Sequence, residues 1–232
     1  MSTRPLEAEG ISLPVVTPVR PNAVAELSCR LLDIAVSVLL LIVLAPLFAV
    51  IAVAVRLDTG GPALFRQSRF GLGLNEFAVH KFRTMHTGIS TALHREYVVG
   101  LIRADSSARP PAHNGLYKLE SDPRVTRVGR VLRRFSLDEL PQLWNVLRGD
   151  MSLVGPRPAL PYEVEQYPAH WYQRFSVRPG ITGLWQVSGR NHLTFDQMID
   201  LDLDYAQRRS FWLNLRILAK TPWVMAHGKG AA

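Results

Sequence analysis

The sequence predicts a helix-rich α/β protein of mixed α+β type with a membrane-seeking helical run near its start. Residues Ile34 to Val55 hold no charged side chain, a run that matches the ~20 apolar residues a bilayer crossing requires. Past Leu57, short β-like segments alternate with longer segments of helical spacing. The 232 residues suit one domain with a short appendage. A hydrophobic share of 47% is ordinary for a globular protein, so most of the chain is expected outside lipid. A formal net charge of +8 favours anionic partners, whether nucleic acid, anionic lipid or phosphate-rich ligands. Cys29 is the only cysteine, which excludes an intrachain disulfide, and it reads as an inert thiol.

The elements follow in order. Residues 1–27 include Pro5, Pro14, Pro18 and Pro21 with few large apolar side chains, and are expected as a disordered leader. Residues 28–56 form the membrane helix. The apolar run is too long for a signal-peptide core and starts too far in. Pro46, near its middle, removes a backbone donor and clashes with the carbonyl four residues back, so a bend is expected there. Arg20 and Arg30 precede the run; Arg56, Arg66, Arg69, Lys81 and Arg83 follow it. Basic flanks mark the cytoplasmic side, and here both flanks are basic. Two half-helices that enter and leave on one face satisfy that pattern; so does a single span with a proline kink, and the spacing alone favours neither.

The remaining domain, residues 57–232, opens with a turn at Asp58 to Pro62. ALFRQSRF and EFAVHKF read as two strands around the loop GLGLN, the second delivering Lys81 and Arg83 near its end. Residues 86–120 read as a helix and then a mobile loop. DPRVTRVGRVLRRFSLDELPQLWNVLRGDMSLVGPRP is dense in Arg and Leu. Residues 161–175 look helical, RPGITGLWQVSGRN looks like loop and strand, and Thr194 caps a helix running to Tyr205. From Ser210 to Met225 a last helix places Phe211, Trp212, Leu215 and Leu218 on one face; it either lies in the membrane interface or packs on the core.

Asp138 and Glu139 are the leading chemical candidates. A capping box from Ser136 to Glu139 is the simpler explanation of an acid pair at a helix start. Pro141 argues against it, because proline fits poorly five residues into a helix begun at Ser136. An irregular helix start instead lets the acids project into a site. A carboxylate there can attack phosphorus, and its neighbour can help hold Mg²⁺, which takes hard oxygen ligands. Arg124, Arg127, Arg130 and Arg133 recur every three residues, a pattern that also suits a solvated or lipid-facing basic face. Arg133 is the one placed to reach a phosphate. Arg157, held between prolines in GPRP, suits bidentate phosphate binding. The seven histidines show no regular metal-ligand spacing. Neither a Walker A loop nor a Gly-x-Ser-x-Gly elbow occurs.

Three segments together, FRQSRFGLGLNEFAVHKFRTM, the Arg- and Leu-rich run ending in GPRP, and RPGITGLWQVSGRN, resemble the signatures of the bacterial sugar transferases, the monotopic phosphoglycosyl transferases. The resemblance covers roughly residues 28 to 225. It implies transfer of a sugar-1-phosphate, a hexose by similarity to the exopolysaccharide-initiating members, from a UDP-sugar to polyprenyl (undecaprenyl) phosphate, with release of UMP. It implies a ping-pong, Mg²⁺-dependent reaction with Asp138 as nucleophile and Glu139 beside it, both near the metal. Candidate substrate-binding residues within the signatures are Lys81, Arg83, Arg133, Arg157, Gln186 and Arg190. The resemblance also implies a re-entrant helix broken at Pro46, a monotopic seat in the bacterial inner membrane and a catalytic domain facing the cytoplasm. Many members have Ser before that proline; this chain has Ala45, so the break must be supported without that hydroxyl. The expected partners are a UDP-sugar, a polyprenyl phosphate and membrane lipid, with no nucleic acid; a homodimer stays open. The competing reading is a non-catalytic basic scaffold on anionic lipid or nucleic acid, which gives no reason for the acid pair.

Overall fold

The computed structural model describes Val16 and residues 23–86, 95, 98–100, 102, 124–189 and 193–227. Helix α1 (Ala23–Val43) and helix α2 (Ala45–Thr59) meet at a bend of 64°. Pro46 lies in the first turn of α2, where its missing N–H has no helical partner to lose. No single described helix is long and apolar enough to cross a membrane, but this bent pair together passes that test. The pair is wider than the expected 28–56, because α1 begins at Ala23.

Strands β1 (Leu64–Phe70) and β2 (Glu76–Phe82) form the expected antiparallel hairpin, with Phe65 opposite Lys81 and Arg69 opposite Phe77. Cross-strand partners share a face, so Phe65, Gln67, Arg69 and Lys81 lie on one side. Helix α3 (Arg127–Arg134) is capped by Thr126, whose hydroxyl accepts from Gly129 N at 2.9 Å. Gly129 is required there, since a Cβ would lie 2.2 Å from Thr84 O. A short 3-10 turn, Leu137–Glu139, leads into helix α4 (Gln142–Arg148).

Strand β3 (Ser152–Val154) runs parallel to β4 (Gly180–Thr182). Between them lie helix α5 (Pro161–Val164) and a 3-10 segment, Ala169–Ser176. The expected helix over 161–175 is therefore interrupted: Pro168 precedes the 3-10 segment and restricts Tyr167 to extended geometry. RPGITGLWQVSGRN also departs from expectation, since only Gly180–Thr182 is strand and Leu184–Ser188 forms helix α6. Burial of Trp185 overrides its β propensity. Helix α7 (Phe195–Arg208) carries the predicted Thr194 cap, completed into a capping box by Gln197. In helix α8 (Phe211–His227) the buried residues are Asn214 and Ile217, whereas Trp212 and Trp223 are 71% and 66% exposed. Of the face expected to meet either the interface or the core, Trp212 points outward, and the helix packs inward through Asn214 and Ile217. Of residues 86–120, His86, Arg95, Val98 to Gly100 and Ile102 are described; Val98 is fully buried and Ile102 packs against the aromatic cluster, whereas Arg95 and Gly100 are exposed, and the expected mobile loop lies outside the described residues.

Three apolar clusters hold the domain. One is aromatic and gathers Tyr167, Trp171, Phe175, Trp185 and Phe195. The second joins α4, β3, α7 and α8 through Val146, Val154, Tyr205 and Ile217. The third ties α2 to β2 and α3 through Ile51, Val55, Phe82 and Leu132. Helix α1 packs on α4, β3 and α8, and α2 packs on α3 and β2, so both arms of the bent pair rest on one body. Their outer faces stay apolar, with Leu31, Ile42, Val50 and Leu57 all exposed.

Candidate active site

The acid turn is built by strain on one side and anchoring on the other. Ser136 adopts φ 53°, a left-handed conformation that is uncommon outside glycine, and its side chain makes no cap. The capping box is therefore absent, and Pro141 stands immediately before α4, as the sequence argument required. Asn145 of α4 then ties the turn to β2. Its amide donates to Ala78 O at 2.8 Å and its carbonyl accepts from His80 N at 3.0 Å, so one buried side chain closes an open strand edge. Lys81 Nζ reaches Glu139 Oε1 at 2.9 Å. Both acids are part-exposed.

The second half of the site is a buried guanidinium network behind the Gly-Pro-Arg-Pro loop. Gly155 lets that loop approach the next strand: a Cβ there would lie 2.3 Å from Arg178 O. Arg157 Nη1 donates to Glu163 at 3.2 Å, and Glu163 also accepts from Leu160 N at 2.9 Å. Burial works to raise the Glu163 carboxyl, but Arg157 and Arg69 outweigh it and hold the group below the ordinary carboxylate range. Arg69 donates to Pro158 O at 2.9 Å and to Gln67 at 2.8 Å. Burial first, then the like charge of Arg157, lower its guanidinium to about 10, while Glu163, Tyr162 and Glu139 oppose that shift. Arg69 thus sits within the field of both halves. Arg174 donates to Arg157 O at 3.0 Å, to Tyr167 at 2.8 Å and to Asp202 at 2.5 Å.

Of the sequence candidates, Lys81 meets Glu139 directly, and Asp138 stands next to Glu139 on the same 3-10 turn. Arg133 donates to Thr84 Oγ1 at 3.0 Å, just past β2. Arg157 joins through the network. Arg83 turns instead to Pro62 O at 2.8 Å and lies over the Phe65 ring. Gln186 donates to Ile181 O at 3.2 Å within its own segment. Arg190 lies outside the described residues. Sequence reasoning missed Arg69, Glu163, Arg174 and Asp202 as parts of one constellation. Strand alternation could have turned Arg69 inward beside Gln67; nothing local marks the rest. Among the described residues no group of three or more His, Cys, Asp or Glu could hold a metal.

The protein is thus a helix-rich α/β body that carries a bent apolar helix pair and sets paired carboxylates near fixed guanidiniums. The chain belongs to the bacterial sugar transferase family, which matches residues 24–228. It is 39% identical over 203 residues to the galactosyl transferase CpsE of Streptococcus agalactiae, covering 87% of this chain and 43% of that protein. It is 43% identical over 209 residues to the UDP-glucose:undecaprenyl-phosphate glucose-1-phosphate transferase of Caulobacter vibrioides, covering 87% of this chain and 70% of that one. To the exopolysaccharide production protein ExoY of Sinorhizobium fredii it is 39% identical over 208 residues, covering 88% and 86%. The chain thus spans under half the length of CpsE and most of ExoY.

Proposed function

We propose that this chain is a phosphoglycosyl transferase that moves a hexose-1-phosphate from a UDP-sugar to a polyprenyl phosphate, the first membrane step of a glycan such as an exopolysaccharide. The observation that carries this reading is the acid turn, with its two accessible carboxylates, the Lys81 contact and the arginine network nearby. Relatives named for undecaprenyl-phosphate glucose and galactose transfer support the substrate class.

In this reading Asp138 attacks the sugar-bearing phosphorus of the UDP-sugar. The bond to the bridging oxygen breaks, UMP leaves with that electron pair, and an aspartyl phosphosugar remains. A phosphate oxygen of the polyprenyl phosphate then attacks the same phosphorus, which frees the carboxylate and yields the polyprenyl diphosphate sugar. Lys81 holds Glu139 in place, and Arg157, backed by Arg69 and Arg174, offsets diphosphate charge in a dry, preorganised setting. The adjacent carboxylates of Asp138 and Glu139 fit Mg²⁺, which needs one or two carboxylates when phosphates and water complete its shell. Bound there, Mg²⁺ would neutralise phosphate charge.

The helix pair is read as re-entrant, with residues 57–232 as a domain on the cytoplasmic face of the bacterial inner membrane. Its support is that both arms pack on one body while their outer faces are apolar. α8, with Trp212 and Trp223 outward beside exposed Arg216 and Lys220, suits the interface. Detergent-purified protein given a panel of UDP-hexoses, polyprenyl phosphate and Mg²⁺ should release UMP with at least one donor, and chelation should stop it. Lipid binding without UMP release from any donor would replace this reading with the scaffold.

A further inference from the structure

Helix α1 is apolar outside and polar inside. Along its inner face Glu26 meets Arg178 and Arg209. One turn later Arg30 donates to Val146 O at 2.6 Å and to Leu147 O at 2.8 Å. Those are carbonyls of the last turn of α4, the helix that follows the acid pair; Val146 O also accepts from Gly149 N at 3.0 Å. The end of the helix carries partial negative charge, which a guanidinium matches. Next comes Asp33, 2% exposed, whose Oδ1 accepts from Leu153 N at 2.9 Å and from the Ser152 hydroxyl at 3.1 Å.

Asp33 solves a specific problem. β3 has one strand neighbour, β4, and Ser152 N is taken on that side by Pro179 O at 2.8 Å. The N–H of Leu153 points to the other, buried side, where no strand follows. An orphan amide there would be costly, and a buried carboxylate is costlier still unless bonded. Each group satisfies the other. The acid lies immediately before the uncharged run, where an ionisable group is unfavourable unless it has a role and a partner. Two residues beyond Leu153 the chain enters Gly-Pro-Arg-Pro.

We infer that Asp33 and Arg30 form a positioning clamp: the seated membrane helix fixes β3 and the end of α4, and so sets Arg157 relative to the Asp138–Glu139 turn. The inference rests on Arg157 binding substrate phosphate in the reaction proposed above. It makes Asp33 a positioning residue, remote from the reacting atoms, and couples the seat of α1 to the shape of the site.

Two variants separate the roles. Asp33→Asn keeps an acceptor oxygen; Asp33→Leu keeps the size and removes it. UMP release should fall at least tenfold in kcat/KM for Asp33→Leu, mostly through KM for the UDP-sugar, and stay within threefold of wild type for Asp33→Asn. Adding Arg157→Lys to Asp33→Leu should cost less than the product of the single effects, because both act on one contact. Hydrogen exchange on detergent-solubilised full chain gives a readout free of activity: in Asp33→Leu residues 152–158 should exchange at least tenfold faster, with 195–208 as protected as in wild type. Multiplicative single effects, or unchanged exchange over 152–158, overturn the clamp. Loss of protection over 195–208 as well as 152–158 in Asp33→Leu would reduce Asp33 to a fold residue, which also overturns it. Wild-type protein that releases no UMP defeats the functional reading instead, and the exchange result then decides the clamp by itself.

Discussion

The acid turn and the arginine network behind the Gly-Pro-Arg-Pro loop carry opposite charge and are built by opposite means. Asp138 and Glu139 stand part-exposed on a strained 3-10 turn, with Lys81 2.9 Å from Glu139. Arg69 and Arg174 are buried, and Arg157 is drawn toward a buried Glu163. The difference fits the two tasks proposed above. A nucleophile must stay reachable and anionic, which a part-exposed turn allows. A phosphate-binding field gains strength from exclusion of water, which suits buried Arg69 and Arg174 and half-buried Arg157, each tied to an acid or a carbonyl. Substitutions in the first region should alter chemistry without unfolding the protein; substitutions in the second should do the reverse.

Asp138→Asn tests the first half of that contrast most severely. Turnover should fall by about 10³-fold or more, a loss of about 4 kcal/mol in transition-state stabilisation. Stability should change by less than about 0.5 kcal/mol, as for a part-exposed site outside any cap. Intact-mass spectrometry with UDP-sugar and Mg²⁺, before acceptor is added, should show a phosphosugar adduct on wild type and none on the variant. Full activity in folded Asp138→Asn would remove the nucleophile assignment.

Arg174→Met tests the second half. It leaves the Asp202 carboxylate buried without its cation, and removal of one partner of a buried pair costs about 3–5 kcal/mol. The loss should depend on pH. Burial already pushes Asp202 up to about 6 from an ordinary 3.8, against the pull of Arg174. A carboxyl raised on folding contributes stability that is complete below about 3.8 and is lost as pH rises through about 6. Without Arg174 that window moves upward, so the variant should melt far below wild type at pH 8 and approach it near pH 5. A pH-independent change in Tm would show that Asp202 is not the group left stranded.

Arg157→Lys lies between the two regimes. The charge stays, but a point charge replaces a planar fork that binds Glu163 and, in the proposed reaction, a phosphate. A loss of roughly 10- to 100-fold in kcat/KM is expected, with a modest drop in Tm. Near-normal turnover would leave Arg157 a turn residue. The smallest effect is expected at Ser136→Gly, which relieves the left-handed strain at φ 53° while loosening the unfolded chain. Stability should rise by less than about 1 kcal/mol in denaturant titration, and a large fall would mean that the Ser136 side chain matters to the turn.

Local rules made much of this fold legible. The hairpin at 64–82, the Thr194 cap, the bend at Pro46 and the irregular start before α4 all follow from periodicity, turn chemistry and the constraints on proline, which act over a few residues. So does the pairing of Asp138 with Glu139, adjacent by covalent structure. The departures have two causes. Pro168 interrupts 161–175 locally, whereas 184–188 takes its form from burial of Trp185 in the aromatic core, and which face of α8 turns inward follows from what α1 and β3 present to it.

By itself, the sequence determined the class of protein, the apolar run with its break, and the residue types able to carry the chemistry, because each depends on composition or close spacing. Only the tertiary structure decided which charges meet. Arg69 finds Pro158, Arg174 finds Asp202, Arg30 finds the end of α4 and Asp33 finds Leu153, across separations of up to 120 residues. No local preference encodes such partners. A buried charge or amide must be satisfied by whatever the fold brings to it, and only the folded chain determines which group that is.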